Sequence, residues 1–274
     1  MLAVKVDNAP AARPPTGIGA ADVVYVEPVE AGITRLVAVF GSRYPPVVGP
    51  VRSARETDVG LLAQFGRPTL AFSGAAPELL PSLGSASLQD GSQAREPGAY
   101  YRGEGEAPHD LFVRPSGLPE GRPWSPDAPL TFGPAPAGGT PSPYREVRYP
   151  NASVGFQWSP ADGRWLVSFD GRPYAATDSG RLAPSTVVLQ TVPQRGSDVR
   201  DSAGNRTPYV ETTGAGRALV LRDGRAFEAR WSRPSPEAGT SYATPSGRPL
   251  EFAPGQVWTV LAPEGPSTTG AFNG

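Results

Sequence analysis

Ile33-Thr34-Arg35-Leu36-Val37-Ala38-Val39-Phe40 is the stretch that decides the fold of this chain. Its apolar residues do not alternate with polar ones, so a strand here is buried on both faces and lies in the middle of its sheet. One charge interrupts it. An arginine cannot stay isolated in such a place, because burying an unpaired charge costs several kcal/mol or more. Arg35 must therefore face a carboxylate, a ligand or water.

Working outward, Ala3–Val6 and Val23–Val26 read as strands, separated by a Pro- and Gly-rich loop from Asp7 to Gly19. Downstream, Ser53 at an N-cap position with Glu56 three residues on forms a capping box. It predicts a helix with Val59, Leu62, Ala63 and Phe65 on its apolar face and Gly66 as its stop. Thr69–Phe72 reads as a strand and Glu78–Leu83 as a short helix. Strands and helices alternate to about residue 114. From Pro115 to Pro143 the chain is rich in Pro, Gly, Ala and Ser, the composition of a linker or a long surface excursion. Beyond it Val154–Trp158, Arg164–Phe169, Thr186–Gln190, Ala218–Leu221, Ala226–Trp231, Leu250–Phe252 and Val257–Leu261 read as strands. Turns such as Asp170-Gly171 and Asp223-Gly224 separate them. The expected fold is α+β: an N-terminal mixed α/β lobe over residues 1–114, a linker over 115–145, a mainly antiparallel β lobe over 146–266 and a tail over 267–274. A length of 274 residues suits two domains of roughly 100–150 residues each.

Composition narrows the chemistry. The formal net charge is -1, without the basic excess of a nucleic-acid binder, so no nucleic-acid partner is expected. With no cysteine there are no disulfides, zinc–thiolate sites, iron–sulfur clusters or cysteine nucleophiles. The single histidine, His109, cannot build a multi-histidine metal site. No metal and no cofactor is assigned. Gly17-Ile-Gly19-Ala-Ala-Asp22 lacks the third glycine of a dinucleotide fingerprint and precedes a strand. There is no Walker loop and no Gly-x-Ser-x-Gly elbow. No apolar run approaches the roughly 20 residues of a transmembrane helix, and the first residues do not form a signal peptide. Trp158, Trp165, Trp231 and Trp258 sit at strand ends, where core packing outweighs a sugar-binding platform.

What stands out is a set of polar residues in and beside the first apolar runs. The candidate ligand-binding residues are Asp7, Asn8, Arg13, Asp22, Glu27, Arg35, Arg52, Arg55 and Asp58, with His109 from a later loop. Arg52 and Arg55 flank the start of the capped helix, whose free N–H groups and partial positive charge favour an anion. Two readings stay open: the arginines pair internally with the carboxylates, or they hold a phosphate, pyrophosphate or carboxylate from outside. No catalytic residue is assigned. His109 is a general base only if a carboxylate other than its neighbour Asp110 orients it.

Several ordered blocks resemble one known family. They are Val4-Lys-Val-Asp-Asn-Ala-Pro-Ala-Ala-Arg-Pro14, Gly19-Ala-Ala-Asp-Val-Val-Tyr25, Gly32-Ile-Thr-Arg-Leu-Val-Ala-Val-Phe40, Gly49-Pro-Val-Arg-Ser-Ala-Arg55 and Ala107-Pro-His-Asp-Leu111. In the second half Gly214-Ala-Gly-Arg-Ala-Leu-Val-Leu-Arg-Asp-Gly224, Trp231-Ser-Arg and Pro254-Gly-Gln-Val-Trp258 continue the match. They are similar to the YerB-like bacterial lipoproteins, and the likeness covers nearly the whole chain apart from Pro115 to Pro143. The resemblance implies two domains of unknown function and a place outside the cytoplasm, anchored to the membrane through a lipidated cysteine. This sequence departs from that pattern, having neither a leader nor a lipobox cysteine. The expectation is a binding protein for an anionic cell-wall component or an envelope protein. The alternatives are an envelope enzyme acting on a phosphate- or glycan-containing substrate and a purely structural scaffold for wall synthesis.

Overall fold

The computed structural model describes residues 1–123, 130–201 and 204–263. The N-terminal part contributes β1 (Leu2–Val6), β2 (Val23–Pro28), β3 (Thr34–Phe40), helix α1 (Glu56–Ala63), β4 (Thr69–Ala71), the short helix α2 (Leu80–Ser85) and β5 (Gln89–Asp90). A small ribbon, β6 (Tyr100–Arg102) with β7 (Leu111–Val113), follows. The rest is built of strands. These are β8 (Thr140–Pro141), β9 (Tyr144–Tyr149), β10 (Ala152–Ser159), β11 (Arg164–Phe169), β12 (Arg172–Pro173), β13 (Ala175–Ala176) and β14 (Gly180–Arg181). After them come β15 (Thr186–Val192), β16 (Gln194–Arg200), β17 (Arg206–Val210), β18 (Gly214–Arg222), β19 (Arg225–Arg233), β20 (Ser241–Ala243) and β21 (Val257–Pro263). The expected α+β class, with a mixed first lobe and an almost wholly antiparallel second one, is what forms.

Strands from both parts join one large sheet in the order β20-β19-β18-β15-β21-β2-β3-β1-β4-β5, with β8 beside β19. The junction is β21, which runs parallel to both β15 and β2. β3 lies where its sequence places it, flanked by β2 and β1. Leu36, Ala38 and Phe40 enter one hydrophobic core, and Val37 and Val39 enter the other. The first core is covered by the four-stranded sheet β12-β11-β10-β9, through residues such as Phe156, Trp165 and Phe169. The second is covered by α1, through Leu61 and Leu62, and by Phe65 just after it. Trp165, Trp231 and Trp258 are buried in these cores and Trp158 packs against the first, so the tryptophans are structural.

Three local expectations shift. The helix starts at Glu56 with Arg55 as its cap, two residues after the cap that the sequence places at Ser53. Residues 52–54 stay extended because they bond sideways: the Arg52 N–H donates to Lys5 O, the Ser73 N–H to Arg52 O and the Ala54 N–H to Gly74 O. The acid that closes the first turn is Asp58, whose Oδ2 accepts the Arg55 N–H at 2.6 Å. Leu250–Phe252 forms single bridging bonds instead of a strand, with the Leu250 N–H to Tyr242 O and the Phe252 N–H to Thr131 O. The hairpin β16–β17, unreadable in Gln194-Arg-Gly-Ser-Asp-Val-Arg200, pairs only with itself. The described parts of the Pro- and Gly-rich segment lie along the sheet. Thr69 Oγ1 donates to Pro119 O at 2.7 Å, and the Gly133 N–H donates to Phe252 O at 3.1 Å. The expected tail, 267–274, lies outside the described residues.

Candidate functional site

Lys5, Glu27 and Arg35 share the sheet face that α1 covers, because Lys5 pairs with Val37 on one side of β3 and Glu27 stands opposite Arg35 on the other. Two clusters grow from that face. In the first, the Lys5 ammonium lies between Glu27 and Asp58 and donates to Asp58 Oδ1 at 2.8 Å. All three groups are buried, with Asp58 at 0% exposure. Burial pushes the Lys5 ammonium down to about 8, against the pull of Asp58. Asp58 also closes α1 from within, so the helix N-terminus is already occupied by an acid of the chain.

In the second cluster Arg55 binds Glu30 as a fork, with Nε to Oε1 at 2.6 Å and its terminal nitrogen to Oε2 at 2.9 Å. The Thr207 hydroxyl of β17 donates to the same Oε1 at 2.6 Å. Burial works to raise the Glu30 carboxyl; Arg55 and then Thr207 outweigh it and hold the group below its ordinary value. Arg52 Nε stands 3.0 Å from Asp7 Oδ2. His109 Nδ1 lies 2.7 Å from that same oxygen, while Asp7 Oδ1 accepts the Ala9 N–H at 3.0 Å. The carboxylate that orients His109 is thus Asp7. Its neighbour Asp110 pairs with Arg102 instead.

Arg35 differs from both of its companions. It is only 7% exposed, and among the described residues its one side-chain hydrogen bond runs from a terminal nitrogen to Ser53 O at 3.3 Å. Among the described residues no carboxylate forms an ion pair with it. Burial, with Arg55 and Arg52 beside it, pushes the guanidinium down to about 10, so it keeps its charge at neutral pH. Arg35, Arg52 and Arg55 line one cavity of about 400 Å³, together with Arg200 of β16, Thr207 and the turn from Ala75 to Glu78. That is the size of a small-molecule site. A larger cavity of about 680 Å³, lined by Tyr44, Glu120 and several prolines, contains none of these arginines.

The other sequence candidates lie elsewhere. Asp22 accepts the N–H groups of Gly41 and Ser42 at 2.6 and 2.9 Å, at the far end of the β2–β3 pair. Arg13 bonds Asn8 and reaches Asp170 at 2.6 Å with its guanidinium over the Phe169 ring, tying the two parts of the chain together. Asn8 donates to Thr34 Oγ1 at 2.8 Å. Asp7, Asp22 and Asp58 do not converge, and among the described residues no group of three or more acids or histidines is placed to hold a metal ion. Sequence reasoning missed Arg200 and Thr207, which arrive from a hairpin some 150 residues away and carry no local signal. It also left out Lys5, although a lysine inside Ala-Val-Lys-Val was a legible one.

The comparisons with known proteins cover both parts. The family model described as the protein of unknown function (DUF3048) N-terminal domain matches residues 1–123. Its C-terminal counterpart matches residues 145–259. The putative lipoprotein YerB of Bacillus subtilis (strain 168) is 27% identical over 277 residues, covering 96% of this chain and 81% of the relative. The crystal structure of YerB from Bacillus subtilis superposes with a TM-score of 0.80 at 23% identity, over 96% of this chain and 90% of the other. With the central strand, the second lobe and both family models in agreement, the chain belongs to the YerB-like DUF3048 family.

Proposed function

We propose that this protein binds an anionic component of the bacterial cell envelope in the cavity of Arg35, Arg52 and Arg55, outside the cytoplasm and in association with the membrane. The observation that supports the reading is Arg35: a buried, charged guanidinium, unpaired by any carboxylate among the described residues, opening on a cavity beside two further arginines. Such a group is tolerated when a ligand or water completes its hydrogen bonds. Arg55 is tied to Glu30 and Arg52 lies in an ion pair with Asp7, which holds both guanidinium groups at the cavity wall. The envelope setting rests on the relative, whose name describes a putative lipoprotein.

The test is a calorimetric titration of inorganic phosphate at low ionic strength, paired with co-sedimentation on purified cell walls. Arg35→Gln should weaken both by about tenfold or more, the scale of a charge-assisted contact, with the melting temperature nearly unchanged. Equal binding by the variant and the native protein would sink the reading.

A second reading, an envelope enzyme acting on a phosphate-containing substrate, draws on one contact. Asp7 holds Nδ1 of His109, the arrangement that leaves Nε2 free to take a proton. His109→Asn should then abolish turnover of a phosphoester probe without altering phosphate binding; no turnover by the native protein on such probes removes this reading.

A further inference from the structure

The cavity contains a second guanidinium that no carboxylate neutralises, and it comes from the other part of the chain. Arg200, at the end of β16, is exposed, and among the described residues its only side-chain hydrogen bond goes to Gly204 O at 2.7 Å, with no carboxylate in an ion pair with it. Its cross-strand partner is Arg206, another cation. The hairpin that carries it is fixed at its base to the N-terminal part. Thr207 donates to Glu30, Ser197 donates to Glu56, and the Val210 N–H donates to Thr57 Oγ1 at 3.1 Å. Arg200 is therefore positioned over the arginine cluster by a docked element.

On the reading that this cavity binds an anion, we infer that the ligand carries a diphosphate group, one phosphoryl held by Arg35 and Arg52 and the other by Arg200. Arg52 Nε stands in an ion pair with Asp7 at 3.0 Å without an aligned hydrogen bond, and its terminal nitrogens remain to donate alongside Arg35. Guanidinium forks match phosphoryl oxygens two at a time. A single carboxylate or phosphate satisfies the floor and leaves Arg200 without a partner. A second phosphoryl linked to the first supplies one. Glu78 and Asp201 also line the cavity, and Asp201 already accepts the Asn205 N–H at 2.8 Å. These acids oppose a long polyanion lying across the mouth, whereas a compact dianion inside meets the arginines first.

The experiment compares inorganic phosphate and inorganic pyrophosphate by calorimetry at low salt on the full chain. The native protein should bind pyrophosphate at least about tenfold more tightly than phosphate, one charge-assisted contact in excess. Arg200→Ala, at an exposed position, should erase that preference by weakening pyrophosphate about tenfold more than it weakens phosphate, with the melting temperature unchanged. Arg35→Gln should weaken both ligands. If phosphate binds but pyrophosphate gains nothing, or the preference survives Arg200→Ala, the diphosphate assignment fails while the anion site stands. If neither binds, both fail. Uridine diphosphate and vesicles containing farnesyl diphosphate then separate a nucleotide-borne from a lipid-borne group. Rejection of both, with pyrophosphate bound, overturns the assignment as well.

Discussion

Two charged clusters share one face of the central sheet, a few residues apart, and they have opposite characters. Lys5, Glu27 and Asp58 form a closed cluster, wholly buried between the strands and α1. Arg35, Arg52, Arg55 and Arg200 form an open one, where two cations are anchored by acids and two are not. The closed cluster has its counter-charges inside the molecule and contributes to folding alone. The open cluster leaves positive charge directed at a cavity. A count of arginines and carboxylates does not separate these cases, because both regions contain both signs. What separates them is where each carboxylate ends up. Asp58 turns inward to Lys5 and the start of α1, and among the described residues no acid forms an ion pair with Arg35.

The strongest way to break this contrast is to open the closed cluster. Lys5→Ala removes the ammonium from two buried carboxylates and should cost roughly 3–5 kcal/mol of stability in urea unfolding. The loss expected from Arg35→Gln is far smaller, since that side chain has no ionic partner to strand. If Arg35→Gln proves the more damaging, the two clusters have been assigned the wrong way round.

Acid tests the anchored half of the open cluster. The Glu30 carboxyl is held below its ordinary value by Arg55 and Thr207, so the unfolded chain binds its proton first as pH falls. The stability contributed by this pair is complete above the unfolded value of about 4.5 and is lost as pH drops through the lower, folded value. Glu30→Gln should therefore give a shallower loss of stability between neutral pH and acid than the native chain, with the docking of β17 weakened throughout. An unchanged slope would assign the acid sensitivity to other carboxylates.

The smallest effect is at the rim. Glu78 is exposed and lines the same cavity, so Glu78→Gln should raise phosphate affinity by about two- to threefold at low salt and by almost nothing at high salt. A gain that persists in high salt would indicate a change of shape in place of a change of field.

The sequence made the centre of the molecule legible and left its joins obscure. β3 could be read because continuous apolarity has one physical meaning, and Arg35 could be singled out because it violates that pattern. Arg52 and Arg55 are legible as residues beside a helix start, but the cap is displaced. Arg55 does stand at the helix start, as the N-cap itself in place of Ser53, whereas Arg52 belongs to a stretch bonded sideways to residues 5 and 73–74. The partner of His109 was unreadable, since Asp7 lies 102 positions away. The hairpin β16–β17 was invisible because its strands have little apolar alternation and are held by polar bonds to the other part of the chain. Non-local pairing of this kind leaves no periodic trace in either partner.

β21 has a consequence for how such a chain is made. Val257 lies beside Val23 in the finished sheet, so the neighbour that covers one side of β2 is synthesised long after β2 itself. Until then the nascent N-terminal segment presents an unpaired, apolar strand border, the kind of surface that recruits other chains. Contacts of such long sequence separation also close slowly. Completion of this molecule therefore depends on a late event that inserts one strand between two others, and a chaperone that shields β2 in the interval would act at the step where the chain is most exposed to misassembly.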